Sequence, residues 1–222
     1  MKNISLLSRL MLSAVVVGVT ALPVGGIAVP ASADPGQCVA WNGNVTGIIA
    51  NANARVAKLS QSTLRRWFDV PDGSGKARIT KAFVNAFPTV AKPTAGEQLG
   101  KVQVVYNVYW QRRQGADYAI ALKYLDGCRN GIKKIDSMTI GSFGFPNKPK
   151  TDLKAAVRLT KQYRKANPGV IPSGYQLEMA QLQRADAPPP WWREKRWVVS
   201  FRRAGYQLIQ LLVTMDGDVE PA

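Results

Sequence analysis

The sequence predicts an α+β protein in which an N-terminal helical region is followed by a helix packed on a three-stranded antiparallel sheet. Two observations support this fold class. Apolar side chains recur near helical spacing up to residue 130, whereas residues 175–215 contain three apolar runs of strand length bounded by turn residues. A Gly- and Pro-rich stretch at 136–150 predicts a linker between the two patterns. We therefore expect a helical domain at 34–135 and a helix-plus-sheet unit at 151–222.

Residues 1–33 have the three parts of a secretory signal peptide. Lys2 and Arg9 supply a positive start, and Leu10 to Leu22 is an apolar run. Ala31-Ser32-Ala33 is a small-residue cleavage site. A transmembrane anchor is the competing interpretation, but the apolar run is shorter than the roughly 20 residues that a spanning helix needs. The sequence therefore predicts a secreted or periplasmic protein, cleaved after Ala33, without a transmembrane anchor.

Removal of this segment leaves a strongly basic chain. It takes away two basic residues and no acidic one, so that 28 basic and 14 acidic side chains remain. A positive charge of this size favours an acidic protein or an anionic envelope polymer as partner. Because the chain contains no His, mechanisms that need an imidazole are excluded, including Ser-His-Asp hydrolysis and His-ligated zinc. The sequence indicates no cofactor and no metal site.

The chain has two cysteines, Cys38 and Cys128. In an oxidising compartment such a pair is typical of a disulfide bond. A reactive thiol is the other interpretation, but a Cys nucleophile in a chain without His lacks its usual base. We expect the bond to tie the N-terminus to the last helix of the helical region.

Four helices are predicted in the helical region. The first is a long amphipathic helix from Asn44 to Phe68, and the second runs from Lys76 to Ala86. The third covers Glu97 to Gln114, although its β-branched and aromatic residues also fit a strand. The fourth, Ala116 to Asn130, would carry Cys128 near its end.

The C-terminal unit is predicted to begin with a helix from Thr151 to Ala166. Three strands follow, over Tyr175–Gln183, Arg196–Arg202 and Tyr206–Met215, with a hairpin turn at 203–205. The last strand contains a nearly continuous apolar run, which predicts a central position covered on both faces.

This order of one helix and three strands, ending in the turn Asp216-Gly217-Asp218-Val219, resembles PepSY and cystatin-like domains. The resemblance covers residues 151–222 and rests on the element order and on that turn. It implies an exported module that binds or inhibits a protein partner, frequently a protease. Residues 34–150 show no comparable resemblance.

The predicted helix at 151–166 places four basic side chains on one face. Successive members are 4, 3 and 4 residues apart, which puts them within about 60° of arc at 100° per residue. They are Lys154, Arg158, Lys161 and Lys165. A solvated outer face is the simplest interpretation, and a cationic strip for an acidic partner is the functional one.

A second candidate for partner binding is the segment ADAPPPWWREKRW, residues 185–197. Its three prolines predict a stiff polyproline II arm. The arm would present five candidate residues, Trp191, Trp192, Arg193, Lys195 and Arg196. Trp and Arg are enriched in binding hot spots, and a rigid arm reduces the entropy lost on binding. One Trp can instead fold back on the sheet, so we expect one buried and one exposed.

Two other functions are weighed against partner binding. Basic residues interleaved with Trp and Tyr suit single-stranded nucleic acid, but export and the lack of a nucleic-acid-binding motif argue against it. A cell-envelope glycan binder or a peptidoglycan hydrolase is the alternative, with Glu97 as the single catalytic acid. A capping box with Thr94 explains Glu97 without catalysis. We therefore predict a non-catalytic inhibitor, immunity or accessory protein for an acidic protein partner.

Overall fold

The described residues form one eight-stranded antiparallel sheet and three helices. The computed structural model describes residues 38–71, 73–89, 99–112, 118–136, 144–184 and 194–222. The helices are α1 (Thr46–Ala57), α2 (Gln61–Phe68) and α3 (Leu153–Ala166). The strands are β1 (Ala77–Phe87), β2 (Lys101–Trp110), β3 (Tyr118–Leu125), β4 (Cys128–Asp136), β5 (Gln176–Arg184), β6 (Lys195–Arg202), β7 (Ile209–Thr214) and β8 (Val219–Pro221). Their spatial order is β4-β3-β2-β1-β5-β6-β7-β8.

The predicted fold class is wrong, because the sheet has eight strands instead of three and the N-terminal region is mostly sheet. The predicted helix at 76–86 is strand β1. Its apolar residues keep helical spacing because the register of β1 against β2 shifts between Lys81 and Phe83, which interrupts the two-residue alternation of a strand. The predicted helix at 97–114 gives way to β2, so the strand interpretation of that segment is confirmed.

The predicted helix at 116–130 is the hairpin of β3 and β4. Asp126 and Gly127 form its turn, and both have positive φ, 46° and 85°. This is the conformation for which an Asp-Gly pair is suited, since both central residues of a type I′ turn need positive φ.

The predicted long helix at 44–68 is two helices, α1 and α2, because Ser60 caps the start of α2. The side chain of Ser60 accepts a hydrogen bond from the Thr63 N–H at 3.1 Å. A cap of this kind satisfies a donor that would otherwise lie free at the start of the helix.

The C-terminal predictions agree better with the structure. The helix and the three strands predicted after residue 150 are α3, β5, β6 and β7. Two details are wrong. A fourth strand, β8, follows the predicted three, and β7 alternates buried and half-buried side chains instead of being covered on both faces. The sheet also continues through β5 into β1, so it is not a separate three-stranded layer.

The two halves of the sheet have the same element order. A helical segment precedes the four strands β1 to β4, and α3 precedes the four strands β5 to β8. The first strands of the two sets pair antiparallel at the centre, where Asn85 lies opposite Gln181. The Gln181 side-chain amide donates to Asn85 Oδ1 at 2.8 Å. Antiparallel pairing of equivalent strands is what a pseudo-twofold axis through this point produces.

One side of the sheet packs against the helices, and we call it the helix side. Side chains of all three helices share a single apolar core with alternate residues of the strands, including the fully buried Trp110 and Trp197. The opposite side, here called the open side, has a small separate cluster around Val105 to which no described helix contributes. The outer faces of the three helices therefore form much of the molecular surface on the helix side.

The predicted disulfide is present, since Cys38 and Cys128 are bonded. Its expected attachment to a helix is wrong, because Cys128 is the first residue of β4. Cys38 forms an isolated antiparallel bridge with Cys128, and the Val39 N–H donates to the Gly127 carbonyl at 3.1 Å. The bond thus fastens the segment before α1 to β4. Among the described helices, none is long and apolar enough to cross a membrane.

Candidate partner-binding surface

Helix α3 has clear start and stop signals. Asp152 precedes the helix, and its carboxylate accepts the Ala155 N–H at 2.7 Å. Leu153, Ala156 and Thr160 are buried against the sheet. At the other end the Asn167 side chain donates to the Tyr163 carbonyl at 3.0 Å. These contacts fix both ends and the rotation of α3, and thereby the direction of its outer face.

Three side chains anchor the segments around α3. The Trp197 indole N–H donates to the Thr151 carbonyl at 2.8 Å in the buried core. The Thr151 hydroxyl donates to the Met215 carbonyl at 2.8 Å. Arg164 donates to the carbonyls of Pro172 and Tyr175, both at 3.3 Å, so this cation has a structural role.

The four predicted cations of α3 are all exposed, and we call them the α3 strip. They are Lys154, Arg158, Lys161 and Lys165. At 1.5 Å rise per residue the strip is about 16 Å long. Arg158 bonds the neutral Gln162 amide oxygen at 3.2 Å, which orients its guanidinium without neutralising it. The strip therefore presents a row of charges along one rigid helix.

Lys154 is held at the N-terminal end of the strip. Its backbone N–H donates to the Gly43 carbonyl at 3.1 Å, and a Cβ added to Gly43 would lie 3.0 Å from the Lys154 Cβ. A cation in the first turn of a helix lies near the positive end of the helix dipole, where an acidic residue would be stabilising. The stability of α3 therefore gives no reason for a positive charge at position 154.

The three helices have a one-sided charge. Together they contain eight Lys and Arg residues and no Asp or Glu. Of the described carboxylates near the start of α3, Asp152 caps the helix and Asp216 pairs with Lys150 at 3.1 Å. No described carboxylate forms an ion pair with a member of the strip. The helix side therefore presents a positive potential to a partner.

The second predicted site is only partly described. Trp191, Trp192 and Arg193 lie outside the described residues, as does the prediction that one Trp is buried. Lys195 and Arg196 begin β6, with Lys195 on the helix side and Arg196 on the open side. Arg196 is therefore on the side of the sheet opposite to α3, and the structure does not bring it to the strip.

A further group of cations lies on the helix side and was missed from the sequence. Lys195 lies opposite Arg184 in the β5–β6 pair, and Lys81 lies close to Lys195. Burial, and then the charge of Lys195, lower the pKa of Lys81. The Lys81 ammonium donates to Asn147 Oδ1 at 2.7 Å and lies 5.2 Å from the Phe145 ring centre. Without the strand register of β1, sequence spacing gives no signal for this group.

Two buried tyrosines hold α1 on the sheet. The Tyr106 hydroxyl donates to Asn53 Oδ1 at 2.6 Å, and the Tyr124 hydroxyl donates to Asn51 Oδ1 at 2.8 Å. Burial raises the pKa of Tyr124 to about 12, against a smaller lowering by Arg129. Burial also raises the pKa of Tyr106, with a further contribution from Tyr124.

We expect the free energy of unfolding to fall as the pH rises above about 10, the ordinary tyrosine pKa. In the unfolded chain both phenols then ionise, whereas in the folded chain they stay neutral, so that high pH favours unfolding. Urea unfolding at pH 9 to 11.5 measures the loss. The control is the double variant Tyr106→Phe and Tyr124→Phe, which should lose less stability over that range. Parallel pH profiles for the two proteins would contradict the assignment.

The catalytic alternative stays a prediction, because Glu97 lies outside the described residues. The described Glu178 is paired with Arg202. Among the described residues, no group of three or more His, Cys, Asp and Glu side chains could hold a metal ion. Comparison with protein-family models, curated proteins and solved structures finds no match to this chain.

Proposed function

We propose that this protein is an exported, non-catalytic binding protein that engages an acidic protein partner through the α3 strip. The role is that of an inhibitor, immunity or accessory factor. The observation that carries the proposal is the exposure of four cations on one face of a well-anchored helix, together with the absence of Asp and Glu from within the three described helices. Export rests on the N-terminal pattern of the sequence.

The physical basis is electrostatic complementarity with reduced ordering cost. A row of like charges about 16 Å long matches a run of carboxylates on a partner and accelerates encounter. The caps of α3 and the contacts of Thr151 and Trp197 hold the helix in place before binding. A preorganised surface loses less entropy when it binds.

The strip is tested by neutralising it. The strip variant replaces Lys154, Arg158, Lys161 and Lys165 by Gln, which has a helix propensity close to those of Lys and Arg. The matched control variant replaces four exposed lysines outside α3 by Gln: Lys58, Lys76, Lys101 and Lys148. Both variants lose four positive charges, so a comparison separates position from net charge.

Polyglutamate serves as the acidic probe, and affinity is measured by titration calorimetry at low and high salt. We expect the strip variant to bind about tenfold more weakly, with a smaller salt dependence, and the control variant to change less. Equal weakening of polyglutamate binding in both variants would show that binding depends on net charge and not on the position of the charges. Tighter, strip-dependent binding of single-stranded DNA or an anionic polysaccharide would assign the strip to another partner class.

A further inference from the structure

The two edges of the sheet differ in length and accessibility. β8 forms one edge and has only three residues, the last of which is Pro221. β4 forms the other edge and has nine residues, Cys128–Asp136. Short edge strands that contain Pro are protected against pairing with another chain, whereas long ones are not. β4 is therefore the edge at which another strand could be added.

Most of β4 is open to solvent. Asn130, Ile132, Lys133 and Lys134 are exposed, and Ile132 is 38% exposed. An exposed Ile on an edge strand offers an apolar contact to an added strand. Trp67 of α2, whose carbonyl accepts from the Lys134 ammonium, lies next to this part of β4 on the helix side.

The chain itself begins a pairing on this edge. Cys38 lies opposite Cys128 on the outer side of β4, and the Val39 N–H donates to the Gly127 carbonyl at 3.1 Å. Hydrogen-bonded and non-hydrogen-bonded pairs alternate along an antiparallel ladder. Beyond the bulge that the register shift between Lys123 and Tyr124 introduces, this alternation directs the backbone groups of Ile132 and Lys134 outward.

The charge of β4 selects the occupant. Arg129, Lys133 and Lys134 make the edge basic. A second copy of this chain is disfavoured, because pairing the outward-directed Ile132 of one copy with Lys134 of the other would place the two Lys133 side chains opposite each other. Like charges directly opposite each other destabilise a strand pair.

We infer that the outer edge of β4 binds an extended, acidic segment of the partner protein as an added β-strand. The inference rests on the proposed function for the acidity of the partner. Main-chain hydrogen bonds to Ile132 and Lys134 would supply affinity. Side chains of the segment would alternate between an apolar position beside Ile132 on the helix side and a carboxylate beside Lys133 on the open side.

Two synthetic peptides of equal length and charge test this edge. The strand peptide alternates Glu and Val, and the blocked peptide carries Pro in place of every second Val, so that it cannot sustain a β-ladder. We expect the strand peptide to bind the full mature chain about tenfold more tightly in titration calorimetry. Amide hydrogen exchange of Ile132 and Lys134 should slow with the strand peptide and not with the blocked one.

Two variants locate the effect. Ile132→Pro removes an outward N–H and leaves the ladder to β3 intact, whereas Lys133→Glu changes only charge. Each should abolish most of the preference for the strand peptide, and circular dichroism checks that each variant folds. The strip variant should keep that preference, which separates this site from α3. Equal binding of both peptides by the wild-type chain, or a sedimenting dimer that Ile132→Pro dissociates, would overturn the inference.

Discussion

Removing the disulfide between Cys38 and Cys128 is expected to lower the free energy of unfolding by about 4 to 5 kcal/mol. The two residues are separated by 90 positions in the chain. A bond that closes so long a loop restricts the unfolded chain strongly, and its loss returns that entropy to the unfolded state. The change is a large fraction of the roughly 5 to 15 kcal/mol by which an ordinary domain is stable.

Denaturant unfolding of the oxidised wild type and of the double variant Cys38→Ser and Cys128→Ser measures this loss. The reduced wild type is the control, because it retains both sulfur atoms and lacks only the bond. The reduced protein and the double variant should unfold at similar, lower denaturant concentrations. A reduced protein as stable as the oxidised one would contradict the expected contribution of the bond.

The second large effect is expected at Trp197. Its side chain is fully buried, and its indole N–H is bonded to the carbonyl of Thr151, next to the start of α3. Trp197→Ala should lower the free energy of unfolding by about 3 to 5 kcal/mol, because it leaves a cavity and an unpaired carbonyl. Trp197→Phe should cost less, since the ring still fills part of the space.

Thermal unfolding of both variants checks the order of these effects. Thr151→Val serves as a comparison, because it removes the hydroxyl bond to Met215 and keeps the carbonyl that Trp197 uses. We also expect Trp197→Phe to weaken polyglutamate binding, since the start of α3 would be held less firmly. A Trp197→Ala protein with wild-type stability would show that this residue does not anchor the core.

The C-terminal half could be predicted from the sequence because local signals agree with the tertiary structure there. α3 has an Asp cap, a one-sided apolar face and an Asn-Pro-Gly stop. The turn before β7 contains Gly205, which has a φ of 77° that favours glycine. The pairing of this half with β1 could not be predicted from local signals, because the paired residues of β1 and β5 lie 96 positions apart in the chain.

The N-terminal half could not be predicted from hydrophobic spacing because its strands β2 and β3 are buried on both sides. Along β3, Ala119, Ile120, Ala121 and Leu122 are all buried, so apolar residues occupy helical and strand positions alike. The pair Asp126-Gly127 was the signal that could have identified the hairpin.

Part of the candidate site could also be predicted from the sequence, and part could not. The α3 strip could be predicted, since its spacing within one helix fixes a common face. Lys81, by contrast, approaches Lys195 only because β5 lies between β1 and β6 in the sheet. The place of β4 at the edge of the described sheet likewise depends on the strand order, which no local pattern specifies.

The duplicated order of elements has a consequence for folding kinetics. Every strand pairing except that of β1 with β5 joins strands that are consecutive in the chain. Short connections close rapidly, whereas the β1–β5 pairing must bring together residues about a hundred positions apart. Each set of four strands can therefore form by local steps, with the central pairing as the late, slow event. Since Cys38 and Cys128 both belong to the first half, oxidation can precede that event and leave the second half to dock on a half already cross-linked.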